Sequence, residues 1–313
     1  MKQRTLGKSG LQVSIVGLGC NNFGILTDLE ASRRVVHKAL DLGVTLLDTA
    51  DIYGNLGGSE ECLGQILGDR RKDIVLATKF GMAMDKAETL KGGSRRYVMA
   101  AVEASLKRLR TDWIDLYQIH QPDPLTPIEE TLRALDDLIH QGKVRYIGCS
   151  NFAGWQAVEA AWTARHLGLV EFISCQDEYS LLVRGIEREL LPAMAGYGLG
   201  LLPYFPLASG LLTGKYKRNA VPQGVRLSLN QRLADRYLID GHWQKVERLE
   251  PFCAKRGCGL LDLAISWLLA RPAVASVIAG ATSPEQIEQN VKAANLALSA
   301  EDMAEIDELT AKA

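Results

Sequence analysis

The chain has 313 residues, 47% hydrophobic and 23% charged, with a formal net charge of −1. That length suits one α/β barrel of roughly 250 residues with insertions, and the charge balance gives no broad attraction to nucleic acid or an anionic membrane. No apolar run approaches the ~18 residues that span a bilayer, and Met1-Lys-Gln-Arg-Thr-Leu-Gly7 has no apolar signal core, so a cytoplasmic location is expected.

Lys2 to Val13, with turn residues Gly7, Ser9 and Gly10, predicts a short hairpin placed to plug the bottom of a barrel. Eight short apolar runs follow: Ile15–Gly19, Val44–Asp48, Ile74–Lys79, Ile114–His120, Val144–Cys149, Phe172–Gln176, Gly200–Tyr204 and Ala275–Ala279. Helical spacing lies between them. Val98, Ala101, Val102, Leu106 and Leu109 follow an N-cap candidate at Ser94. Ile128, Leu132, Leu135, Leu138 and Ile139 are opened by Pro127 and closed by Gly142. Strands alternating with helices imply parallel pairing, because parallel neighbours need a crossover. Eight such units predict a (β/α)8 barrel, a single domain over residues 1–313. Leu212 to Trp243, polar and basic, stands outside the repeat as a long loop after the seventh strand, and such loops are functional or mobile.

The six cysteines contain no C-x-x-C pair and read as reduced, mostly buried thiols. A zinc site needs close cysteine or histidine pairs, so no metal is expected.

Asp48, Lys79 and His120 end three successive predicted strands, and Tyr53 follows Asp48 in the next loop. Barrel active sites sit at the C-terminal ends of the strands. Alternation puts Ala77 and Val75 on the side of Lys79, Gln118 and Leu116 on that of His120, and Leu46 and Val44 on that of Asp48. That describes a packed interior capped by a polar rim. Any one of the four alone reads as a cap or a solvated loop residue; their coincidence at adjacent strand ends points to a site. A free phenol, with a pKa of about 10, is a poor donor near neutrality, and a cation within ~4–6 Å lowers it by roughly 1–3 units. Lys79 is placed to supply that cation, with Asp48 holding it charged and His120 donating a hydrogen bond to the same substrate oxygen. Such a group suits protonation of an oxygen while hydride arrives at its carbon.

Leu47-Asp-Thr-Ala-Asp-Ile-Tyr53-Gly, Gly58-Ser-Glu60, Ala77-Thr-Lys79, Gln118-Ile-His120, Gly148-Cys-Ser150-Asn151-Phe and Gly210-Leu-Leu-Thr-Gly214-Lys together resemble the aldo-keto reductases, from about Arg4 to Asn295. The resemblance implies a barrel that binds an extended nicotinamide dinucleotide, with Tyr53 as the acid and Asp48, Lys79 and His120 supporting it. There is no G-x-G-x-x-G, only the partial Gly17-Leu-Gly19 and Gly198-Leu-Gly200, so dinucleotide binding is expected at the barrel mouth. The resemblance places Ser150, Asn151 and Gln176 around the carboxamide, and Tyr204 stacked on the nicotinamide. Leu207, Ser209 and Leu211 then lie along the pyrophosphate with Lys215 and Arg226 nearby. Gly280, Thr282, Gln286, Gln289 and Asn290 fall at the adenosine end. Many relatives have an arginine where Gln286 stands, gripping the 2′-phosphate bidentately. This chain lacks it, so NADPH is expected from family habit and NAD stays open.

The pocket wall is expected from Phe23, Tyr53, His120 and Met82, with Met84 from the same loop. Gly92-Gly-Ser94-Arg95-Arg96 opens a helix able to attract an anionic substrate. The expected partner is a small carbonyl compound; oligomeric state is open. Potassium-channel β subunits share this barrel and its four residues, so a redox-sensing accessory subunit is the alternative, one that needs a membrane partner. A lyase or isomerase without nicotinamide is disfavoured by the lack of a carboxylate cluster or metal ligands.

Overall fold

In the computed structural model, which describes residues 1–218 and 220–311, eight parallel strands run side by side around a ring. They are β3 Val16–Gly19, β4 Leu46–Asp48, β5 Val75–Phe80, β6 Ile114–Ile119, β7 Val144–Ser150, β8 Ser174–Glu178, β9 Gly200–Tyr204 and β10 Val277–Gly280. Each falls within two residues of its expected place. The hydrogen-bonded order runs from β10 to β3 and then in sequence to β9. The ring closes through a parallel bridge from Leu201 in β9 to Val274, just before β10, with Leu201 N–H to Ala273 O at 2.7 Å. This is the expected (β/α)8 barrel.

The N-terminal hairpin pairs β1 Gln3–Thr5 antiparallel with β2 Gln12–Ser14. It carries Leu6 and Val13 into an inner apolar cluster with Leu46, Ala77, Leu116 and Leu202. The Arg4 guanidinium donates to Val274 O at 2.8 Å and Leu269 O at 2.7 Å, tying the hairpin to the end of the ring. Alternation thus places Leu46, Ala77 and Leu116 inside as expected. Val44 differs: it lies before β4 begins and packs in the outer core, between sheet and helices.

That outer core is covered by α1 Leu29–Asp41, α2 Tyr53–Ile66, α3 Arg95–Leu109, α4 Ile128–His140, α5 Gly154–Leu167, α6 Leu190–Tyr197, α10 Leu260–Leu269 and α11 Pro284–Ala293, with α9 Asp240–Arg256 and α12 Ala300–Thr310 outside. Ser94 caps α3 through its hydroxyl, and Pro127 precedes α4 as its period suggested. None of these helices is long and apolar enough to cross a membrane, among the described residues.

The segment after β9 is not a plain loop. Its residues form a 3-10 turn, Ala208–Thr213, then α7 Arg226–Leu229 and α8 Gln231–Tyr237, and Asn219 lies outside the described residues. Asn230 caps α8 by accepting from Leu233 N–H at 3.1 Å, and Leu227 and Tyr237 are buried. Two short helices with buried anchors make this segment a strap across the barrel mouth.

Candidate active site

Parallel pairing puts the ends of β3 to β6 in register, so Gly19 faces Asp48, Asp48 faces Ala77 and Lys79 faces Gln118. Side chains two residues apart share a face, which stacks Asp48, Lys79 and His120 above the inner apolar cluster. The Lys79 ammonium is fully buried, donating to Asp48 Oδ2 at 2.6 Å and to Thr49 O at 2.9 Å. Asp48 Oδ1 accepts from Gln176 Nε2 at 2.8 Å and from Gln118 Nε2 at 3.3 Å. A buried ion pair is stable only when its remaining lone pairs and protons are satisfied, and here two amides and a carbonyl do so.

Tyr53 sits at the start of α2 with the Lys79 ammonium 5.0 Å from its ring centroid. Its ring meets His120 edge-on at 5.6 Å and 83°. The expectation that Lys79 depresses the phenol pKa needs correction: burial is the larger influence and raises it, while Lys79 pulls the other way. The phenol is held protonated. Burial opposes the charge on Lys79, but Asp48 and Tyr53 outweigh it and its pKa is raised. Burial, with Lys79 second, pushes His120 down to about 3, so its imidazole is neutral and carries one N–H.

A cavity of about 1110 Å³ opens above these groups. That is at the large end for small-molecule sites, which run to ~1,000 Å³. Asp48, Tyr53, His120 and Met82 line it, as do Ser150, Asn151, Gln176, Tyr204, Leu207, Ser209, Lys215, Arg226, Gly280, Thr282, Gln286, Gln289 and Asn290. The residues expected to touch a dinucleotide line this one cavity, except Leu211, which is buried in the outer core. Lys79 stands behind Tyr53 and Asp48. Phe23 is a correction: it is fully buried in the outer core, held there by the turn that bonds its N–H to Cys20 O at 3.1 Å. Met84 does not line the cavity, and the α3 N-terminus does not face it either. Asp123 accepts from Gly93 N–H at 2.8 Å, Glu130 from Arg95 N–H at 2.8 Å, and Asp137 pairs with the Arg95 guanidinium, so the acids already answer its positive end.

Asn151 has a left-handed backbone, φ 60°, and its amide donates to His120 O at 2.9 Å while its oxygen accepts from Tyr204 at 2.7 Å. Ala208, Ser209 and Gly210 are left-handed in succession, with φ 46°, 56° and 100°. Ser209 is buried on the cavity wall, and its hydroxyl acts on Tyr237 by hydrogen bonding. Lys215 and Arg226 line the same wall, burial lowers the pKa of both, and neither has a carboxylate partner among the described residues. One exposed and one half-buried cation, neither with an acid among the described residues, fit a pyrophosphate. At the far end Gln286 Oε1 accepts from Thr282 N–H at 2.9 Å and hydroxyl at 3.1 Å, so two residues expected at the adenosine end are bonded to each other.

Sequence reading missed several participants. Gln118 was visible as a polar residue on an inward position, yet its bond to Asp48 needed the ring. Asn21, Asn22 and Gln121 line the cavity from loops without a motif. Glu178, buried at the end of β8, receives hydrogen bonds from Arg236 and Tyr237 of α8, and so latches the strap to the barrel.

The family model "Aldo/keto reductase family" matches residues 15–311. A probable voltage-gated potassium channel subunit beta of Arabidopsis thaliana is 41% identical, covering 95% of this chain and 92% of the relative. The uncharacterized oxidoreductase YrpG of Bacillus subtilis (strain 168) is 39% identical, covering 96% and 93%. An L-glyceraldehyde 3-phosphate reductase of Escherichia coli (strain K12) is 35% identical, covering 98% and 92%. With the barrel intact and a family match across nearly its whole length, this chain belongs to the aldo/keto reductase family.

Proposed function

We propose that this protein reduces aldehydes or ketones to alcohols with NADPH, Tyr53 giving the proton. The observation that carries the reading is the Lys79–Asp48 ion pair, buried against a phenol that opens on the cavity and beside a neutral histidine. A carbonyl oxygen held between the Tyr53 hydroxyl and the His120 N–H gains negative charge as its carbon is reduced. Both groups donate to it, and charge developing there is stabilised most where water is excluded. Lys79 favours the phenolate that remains, so the proton leaves Tyr53 at less cost, and Asp48 keeps the ammonium aimed. Ser150, Asn151, Gln176, Lys215, Arg226 and Asn290 would hold a nicotinamide dinucleotide, which would supply the hydride when bound. NADPH is preferred to NADH on family habit, and the cations Lys215 and Arg226 suit its pyrophosphate.

The test is steady-state turnover on a panel of short aldehydes, sugars and α-dicarbonyls with each cofactor, alongside cofactor titration of Tyr53→Phe. Carbonyl reduction is expected to vanish in that variant while cofactor affinity stays near wild type. Near-wild-type turnover would sink the acid assignment. A second reading, a redox-sensing accessory subunit, draws on the 41% identity to a probable channel β subunit. It predicts tight cofactor binding with negligible turnover across the whole panel.

A further inference from the structure

We propose that Asp51 is a positioning residue for the proton donor, acting through a buried charge cluster in which Glu60 has taken the guanidinium of Arg108. This rests on the reading of Tyr53 as donor.

Tyr53 is followed by a segment that turns the wrong way. Gly54, Asn55, Leu56 and Gly57 all have positive φ, from 63° to 116°. Left-handed backbone is costly for a non-glycine residue, so Asn55 and Leu56 are held there by their surroundings. Gly54 is required, since a Cβ would lie 2.1 Å from Ser59 N. At Gly57 a Cβ would lie 2.6 Å from Arg108 Cδ, so the turn is seated on the arginine stem. Arg108 Nε donates to Glu60 Oε2 at 2.6 Å, and Thr78, next to Lys79, donates to Glu60 Oε1 at 2.6 Å. Glu60 is fully buried and joins α2, α3 and β5 at one point.

Asp51 lies on the other side of Tyr53. Its N–H donates to Lys79 O at 3.1 Å, it is 1% exposed, and neither carboxyl oxygen has a cation at hydrogen-bond distance among the described residues. The groups acting on it or on its phenol neighbours are Glu60 from α2, Tyr97 and Arg108 from α3, Lys79 from β5, Tyr117 from β6, and Asp85 from the loop after β5. The Tyr97 hydroxyl acts on Asp51 by hydrogen bonding, and the Tyr117 hydroxyl is buried without a partner among the described residues. Arg108 serves Glu60 at hydrogen-bond distance and leaves Asp51 with none. Burial first, then the charge of Glu60, push Asp51 from 3.8 to about 7. Below that pH Asp51 is a neutral acid. Above it a second negative charge appears beside Glu60, with Arg108 and Lys79 acting on it only at longer range and no cation at hydrogen-bond distance among the described residues. Like charges repel across the strained turn that carries Tyr53, and the donor loosens.

The rate is read as kcat/KM against pH, with glyceraldehyde and NADPH as probes. Wild type is expected to step down roughly tenfold as pH rises through neutrality, within the ~100-fold cost of a 1 Å misplacement. The step should disappear in Asp51→Asn. In Glu60→Gln it should move to lower pH, because one negative neighbour is gone and Arg108 is freed. A merely structural Asp51 moves no such step. Hydrogen exchange of the amides from 52 to 58 reads the turn without turnover: after correction for intrinsic rates, it should quicken above neutrality in wild type and not in Asp51→Asn. A pH-independent turn, or a step that persists in Asp51→Asn, overturns the proposal. Exchange that behaves as expected in a protein without turnover removes the functional reading alone.

Discussion

Tyr53 is governed by two opposed influences of unequal size. Burial raises its pKa and Lys79 restrains the rise. Lys79→Met removes the restraint and leaves Asp48 charged without its ammonium, so the phenol is expected to climb further. The alkaline limb of the pH–rate profile should then move upward and the maximal rate should fall; an unmoved limb would count against Lys79 as the cation. His120, held near 3 by burial, should contribute no limb at the ordinary histidine pKa of about 6.5. Much of this was legible in the chain. Polar residues ending apolar runs are costly to bury and therefore conspicuous, and period-2 alternation alone puts Gln118 beside His120. Phe23 was not legible, because an aromatic in a glycine-flanked loop packs inward or outward according to a turn that only the folded backbone defines.

At the scale of elements, the strands were readable to within two residues because apolar runs bounded by turns have few other homes. The strap was not. Its composition is that of a loop, and its helices depend on distant anchors: Tyr237 fully buried, and Glu178 of β8 bonded to Arg236 and Tyr237. The left-handed turn after Tyr53 was half legible, since Gly54 and Gly57 invite it but Asn55 and Leu56 do not. Glu178→Ala should free the strap. Arg236 is half exposed, so its pairing is worth only ~1 kcal/mol, and the cost to global stability should be small. Proteolytic cleavage between 215 and 236 is expected to accelerate, with faster cofactor release, while the barrel's unfolding midpoint stays close to wild type. Equal protease resistance would show that the latch is idle.

For the whole molecule, two buried groups give opposite slopes of stability with pH. Asp51, raised from 3.8 to about 7, binds more protons folded than unfolded between those values, so it takes stability away as pH rises. His120, lowered from 6.5 to about 3, binds fewer protons folded, so it takes stability away as pH falls. The two offset each other between roughly pH 4 and 6.5, and above that Asp51 acts alone. Asp51→Asn should therefore raise urea stability less at pH 5 than at pH 8, with ~4 kcal/mol as the ceiling. The same change at both pH values would mean that Asp51 does not titrate.

The hairpin and the ring closure also set an order in time. Arg4 finds its carbonyl partners at Leu269 and Val274, and β3 finds its other neighbour in β10. The hairpin is therefore made long before the residues it binds. Until β10 emerges, β3 is an open edge and the bottom of the barrel has no floor. Contacts of such long sequence separation form slowly. The nascent chain holds a row of paired strands with a raw margin, and it becomes a vessel only once β10 has joined β3.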